Sequence, residues 1–362
     1  MKKSKKTSFY FFLGGILAFI APSFLIALSV EQTNQISKID KEILQLAQIP
    51  LKENFSSLAL DWSKTKEELF ELGINALNQE HDVIKAYHIF NYLSINFKND
   101  SYLFYLGQCY YFMGEMFYEG YIEKYYKKSY EIFTQLRKKN KKNPLYIQWN
   151  SFAAAKVGDF IRGKEQGTFS GLSYLRESVS LNDDLLDINS KNEDGLLTEA
   201  EYQIETDGVP FFGGSEKKGF QIIEKVLKQN PSNMRANLLM GKFLYSKKNN
   251  PVKAISYLFK AASLYDQKEV PQDMVHYYMR IFLEIHWVRA YSRLNNTDKM
   301  FEHLSKHLSL LPRSISGLSF FIDYLGNVKK DPWAACSVAK RLVQMHPYGK
   351  KENLVKKYCV AP

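Results

Sequence analysis

Residues 216–231 read EKKGFQIIEKVLKQNP. Gly219, Ile222, Ile223, Val226 and Leu227 fall at i, i+3, i+4, i+7 and i+8, one stripe of an α-helix. Pro231, twelve residues after Gly219, lacks a backbone N–H and biases its predecessor away from helical angles, so the helix ends there. The same register returns at Ala335, Val338, Ala339, Leu342 and Val343, with Pro347 again twelve residues on. It returns a third time from Met300 through Leu304 and Leu308 to Pro312. A helix with one apolar stripe cannot bury it alone, and repetition of the stripe means stacking against copies.

Four more segments carry the stripe without the proline: Ala86, Ile89, Phe90, Leu93; Ser129, Ile132, Phe133, Leu136; Gly171, Tyr174, Leu175, Val179; and Ala254, Tyr257, Leu258, Ala261. Upstream of several stands an apolar residue followed by glycine: Leu72-Gly73, Leu106-Gly107 and Met240-Gly241. This pattern resembles the tetratricopeptide repeat, whose period is about 34 residues. The resemblance runs over roughly residues 67–347 and is tightest from 219 to 347. It implies an all-α, TPR-like α-solenoid of about six or seven helix hairpins, with residues 67–350 as the repeat domain and 351–362 as a C-terminal tail. Several spacings exceed the family period, which predicts lengthened helices or loops around 111–128 and 182–214 and keeps HEAT-type pairs as an alternative. A narrower resemblance, on Gly213-Gly214 and the helix after them, is to membrane-associated repeat proteins accessory to TRAP transporters.

The N-terminus carries a second signal. Residues 8–30, SFYFFLGGILAFIAPSFLIALSV, hold no charge and follow Lys2, Lys3, Lys5 and Lys6. As a helix they span about 34 Å, enough for a hydrocarbon core. Residues 1–7 are then a basic cytoplasmic region, 8–30 a transmembrane anchor, and 31–66 a linker with a leading helix on the far side. A cleavable signal is the competing reading, because Ala27 and Ser29 place small residues where a peptidase requires them. Both readings export the repeat domain, to the periplasm if the cell is bacterial.

The chain has 362 residues, 45% of them hydrophobic, and a formal net charge of +11. That composition excludes a collagen or a wholly disordered chain. The lysine clusters at 138–142 and 350–357 come with no RNA- or DNA-binding motif, so solvated faces are expected and nucleic acid is not. Three cysteines are too few for a disulfide-stapled fold; export would allow Cys336 and Cys359 to pair, but three isolated cysteines are the expected state, with Cys109 a small core residue.

No cofactor or metal is expected, and no catalytic residues stand out. Ser215 and Glu216 after the paired glycines read as a helix cap more readily than as an anion site. His303 and His307 share a helical face, but they fall on the apolar seam and have no third ligand. The pairs Asp183-Asp184 and Glu193-Asp194 read as solvated connecting stretches, and no nucleophile elbow, zincin or P-loop motif is present. The tyrosine-rich region is different. Between 102 and 130 there are more aromatic residues than one stripe can bury, and tyrosine is favoured at recognition surfaces. Tyr105, Tyr111, Tyr118, Tyr121 and Tyr125 are the candidate partner-binding residues, with thick inter-repeat packing as the alternative. The expected function is non-catalytic: a membrane-tethered scaffold that binds a protein or peptide on its concave surface. Its alternatives are an accessory subunit of a solute transporter and an enzyme whose residues the sequence does not reveal.

Overall fold

The computed structural model describes residues 60–116, 122–162, 168–209, 212–266, 273–345 and 351–359. Among them are fifteen α-helices and no strand. α1 (Lys66–Asn78) pairs with α2 (Val83–Asn96), α3 (Asp100–Met116) with α4 (Ile122–Lys139), and α5 (Pro144–Arg162) with α6 (Thr168–Ile188). α7 (Glu193–Glu205) pairs with α8 (Glu216–Gln229), and α9 (Met234–Ser246) with α10 (Pro251–Tyr265). α11 (Met274–Arg293) pairs with α12 (Thr297–Leu310), and α13 (Ile315–Asn327) with α14 (Pro332–Met345). Every striped segment is the second helix of its hairpin, and the residues that open the stripes, from Ala86 to Ala335, are all buried.

The seam works by size complementarity. A Cβ on Gly107 would lie 2.8 Å from the ring of Phe133, four residues after the opening Ser129 of α4. The same relation holds between Gly241 and Leu258, 2.7 Å, in the fifth hairpin. Absence of a side chain on the first helix lets the large residue of the second lie flat on it. Phe133 and Leu258 are thereby removed from water completely, each worth roughly 1.5–3 kcal/mol. The expected lengthening is present: α3 runs 17 residues and α6 runs 21, and a ten-residue stretch, 206–215, separates α7 from α8.

Side chains with short polar tips start the helices. Thr65, Asp82, Asn192, Ser215, Asn233, Asn250, Asp273, Asn296 and Ser314 each accept from a backbone N–H three residues on, satisfying donors that the helix cannot. Four hairpin turns share one backbone device. His81, Asn249, Asn295 and Lys330 have φ between 49° and 57°, and each immediately precedes the polar residue that opens the next helix. The N–H of Asp82, Asn250 and Asp331 then reaches back to the carbonyl of Ala76, Leu244 and Leu325 at 2.8–2.9 Å.

The stretch read as a C-terminal tail contains α15 (Glu352–Tyr358). It packs on the last hairpin, where the Tyr358 ring occupies the space a Cβ on Gly326 would need. Its hydroxyl donates to Asp323 at 2.7 Å, and Cys336 and Cys359, expected to stand isolated, instead form a disulfide that ties α15 to α14, because α15 folds back onto that helix.

At the other end the row of hairpins bends back on itself. Met274 N–H, at the start of α11, donates to Asn78 Oδ1 at 3.3 Å, and Tyr277 stacks on His81 with ring centroids 4.0 Å apart. The Tyr278 hydroxyl donates to the carboxylate of Glu115 on α3. Contact between the sixth hairpin and the first two, made through first helices, puts the first helices on the inside of the curve.

Candidate functional site

The inner face is joined by charge from one first helix to the next. Glu115 on α3 pairs with Lys156 on α5 at 2.5 Å, and Gln148 on α5 donates to Asp194 on α7 at 3.0 Å. Arg235 on α9 reaches back to Asp194 at 3.3 Å and Glu201 at 3.7 Å, while Lys242 bonds Glu201 at 2.7 Å and Glu205 at 2.9 Å. Asp194 and Glu201 are seven residues apart on α7, as are Arg235 and Lys242 on α9. Two turns of helix bring members of each pair back to one face, so the acidic edge of α7 meets the basic edge of α9 in register. Burial by itself would raise the Glu201 carboxyl, but the Lys242 ammonium and Arg235 guanidinium outweigh it and hold it at about 2. Desolvation pulls Lys242 down, and the two glutamates more than compensate, leaving it above the usual lysine range.

Beyond Lys242 this face opens into a cavity of about 530 Å³. Only first helices and the residue after one of them line it: Glu205 from α7, Lys242 and Tyr245 from α9 with Lys247 after it, Arg289 and Arg293 from α11, and Phe320 from α13. The Tyr245 hydroxyl is buried, 2.6 Å from His286 Nδ1, and Arg289 also bonds it. A guanidinium only donates, so the tyrosine oxygen accepts from Arg289 and its own proton serves His286. Burial, reinforced by Arg289 and Lys242, keeps His286 well below the usual histidine range and therefore neutral. Its Nε2 has no partner among the described residues. Arg289 Nη2 also donates to Ser316 Oγ at 3.2 Å, and Arg293 Nη1 to Asn249 Oδ1 at 3.2 Å.

No family model matches the chain, and no curated protein matches it. Solved structures do. Yeast Tom70 superposes over 94% of this chain and 74% of its own, at 13% identity and a TM-score of 0.51. The fold is that of the tetratricopeptide repeat. A tetratricopeptide repeat protein from Parabacteroides merdae (14% identity, 82% of this chain, 99% of that one, TM-score 0.43) and PilW, a widely conserved type IV pilus biogenesis factor (15%, 57% and 90%, 0.40), also match. At these identities the likeness speaks for the fold alone, and only the Tom70 superposition carries that argument.

Within this tetratricopeptide-like solenoid, the candidate tyrosines divide. Tyr118 and Tyr121 lie outside the described residues. Tyr105 is half-buried, stacked on Phe90 at 5.2 Å, and Tyr125 lies 6.4 Å from Tyr110. Tyr111 sits edge-on to Trp149 at 5.4 Å and under the Lys156 ammonium at 6.0 Å, which puts it on the charged inner face. Phe104, Phe112, Phe133 and Trp149 fill the space between the second and third hairpins, so the aromatic excess is largely inter-repeat packing.

The remaining sequence candidates have structural partners. Ser215 caps α8 by accepting from Lys218 N–H at 3.3 Å. His303 Nδ1 is 2.6 Å from Glu284, itself paired with Arg280, and His307 bridges the Ile281 carbonyl and Ser314 Oγ at 3.2 and 2.7 Å. Among the described residues no three His, Cys, Asp or Glu side chains gather to hold a metal ion. Cys109 is buried without a disulfide, its thiol pushed up by desolvation. Two expectations need correction. Asp183 and Asp184 stand on the exposed side of α6, and Glu193 and Asp194 open α7. Glu193 accepts from Asn230 at the end of α8 at 2.9 Å and from Asn233 at the start of α9 at 2.6 Å, so it builds the inter-repeat joint rather than a solvated loop. Glu201 and Glu205 of α7 and the charged residues of α9 and α11 escaped the sequence reading, though the matched seven-residue spacing of opposite charges was visible there.

Proposed function

We propose that the chain is a non-catalytic, membrane-tethered repeat scaffold that holds a protein or peptide segment along its inner face. One observation carries the reading: the first helices present a continuous charged row that ends in a cavity of about 530 Å³. Curved helical-repeat stacks offer extended concave surfaces of this kind, and fixed charges along them select a partner without chemistry of their own. Tyr111, on the same face, adds an aromatic contact.

Residues 8–30 lie outside the described residues; among those described, no helix is long and apolar enough to cross a membrane. We assign the tether to that segment from its length and lack of charge. The Cys336–Cys359 disulfide agrees with an oxidising, extracytoplasmic compartment for the repeats, the periplasm if the cell is bacterial. A second reading, an accessory subunit that holds a solute for a transporter, draws on the cavity and on the inward closure at Tyr278.

Recovery of the full chain from its native membrane tests the proposal. It should bring down a stoichiometric protein, and Ser246→Arg, on the exposed cavity rim, should abolish this while Lys260→Ala on α10 leaves it intact. Equal recovery by both variants rejects docking on the inner face.

A further inference from the structure

Positive charge at the cavity exceeds what its carboxylates neutralise. Asp194, Glu201 and Glu205 are taken up by Arg235 and Lys242, and Lys247 stands 3.9 Å from Glu205. Arg289 and Arg293 are one helical turn apart on α11, and among the described residues neither has a carboxylate in ion-pair range. What holds them is neutral: the Tyr245 and Ser316 hydroxyls for Arg289, the Asn249 amide for Arg293. Neutral anchors fix a guanidinium in place without cancelling its charge, so both remain available to a ligand. Arg293 is also over the Tyr245 ring at 6.0 Å.

We propose that this cavity binds a small organic phosphate monoester, with Arg289 and Arg293 on the phosphate. Two uncancelled guanidiniums match a dianion, and their forked donors suit an oxygen-rich tetrahedral group better than one carboxylate. The cavity, at about 530 Å³, is within the range of small-molecule sites and far larger than inorganic phosphate alone requires. Phe320 supplies apolar surface for the rest of the molecule. This deepens the inner-face reading by giving the cavity its own ligand, and it is tested without any protein partner.

The test is calorimetric titration of the purified full chain with phenyl phosphate, inorganic phosphate and succinate, against sodium chloride of equal ionic strength. Saturable binding is expected for both phosphates, tighter for phenyl phosphate. Arg289→Gln and Arg293→Gln should each weaken it by roughly tenfold or more, and Lys138→Gln on the outer side of α4 should not. Arg293 is exposed, so its variant decides the matter if Arg289→Gln unfolds. Succinate binding as tightly as phenyl phosphate, a response that chloride reproduces, or full binding by Arg293→Gln overturns the assignment. Failure here with partner recovery intact rejects the phosphate site alone.

Discussion

The Tyr278 hydroxyl donates to the Glu115 carboxylate, joining the sixth hairpin to the second across 163 residues of sequence. Glu115 is buried and also takes Tyr126 OH at 3.0 Å and Lys156 Nζ at 2.5 Å. A buried carboxylate is stable only while its partners remain, so the closure and the inner charge row support each other.

Tyr278→Phe should therefore cost about 1.5 kcal/mol, the low end for a hydrogen bond to a charged group. Glu115→Ala should cost more, about 3 kcal/mol, because it removes the shared acceptor of Tyr126, Tyr278 and Lys156 at once. Urea unfolding measures both. Small-angle scattering should show a larger radius of gyration for Tyr278→Ala than for the parent.

Gly107→Ala should destabilise by about 1–3 kcal/mol through overpacking against Phe133, which has nowhere to move in a closed seam. The double variant Gly107→Ala with Phe133→Leu should recover part of the loss. Thermal unfolding of the pair reads the coupling.

Lys330 occupies a left-handed backbone position with φ 57° that glycine and asparagine tolerate better. Lys330→Gly should be neutral or stabilising by up to about 1 kcal/mol, whereas Asn249→Val, at the matching turn, should destabilise. Unfolding midpoints of the two variants decide it.

Stability should fall in two stages on acidification. His307 is held down at about 4 by burial, against 6.5 when free, so the unfolded chain takes up the proton first and stability is lost as pH drops from 6.5 toward 4. His286 adds to that stage with the same sign. Glu201, at about 2 against 4.5, contributes above its unfolded value and loses that contribution as pH falls from 4.5 toward 2. Urea midpoints across pH should lose much of the upper stage in His307→Gln and not in Lys138→Gln.

Reduction of Cys336–Cys359 should release α15 and lower stability by about 3 kcal/mol, the entropic scale for a loop of this length. Hydrogen exchange should speed up in residues 352–358 while α1 to α6 keep their protection.

The second helices were legible in the sequence because burial of one stripe imposes a period of 3.6 that Gly219, Ile223 and Val226 display directly. Glycines on the first helices were legible for the same reason, as small partners of Phe133 and Leu258. The closure was not, since Tyr278 and Glu115 meet only after five hairpins have curved, and no local pattern encodes that angle. α15 was hidden by its length of seven residues, too short for a period to register. The tyrosine cluster was read from its excess, but composition does not say that Trp149 from the next hairpin would absorb much of it. The cavity arginines both lie on α11, which carries no stripe of the kind that marks the second helices, and their meaning depends on Tyr245 arriving from another hairpin.

Site-specific photocrosslinking in the native membrane tests the docking claim most directly, with a photoreactive residue placed at Ser246 on the inner face or at Lys260 on α10. A discrete protein adduct from position 246 alone is the predicted result; equal adducts from both positions, or one from 260 only, would contradict it.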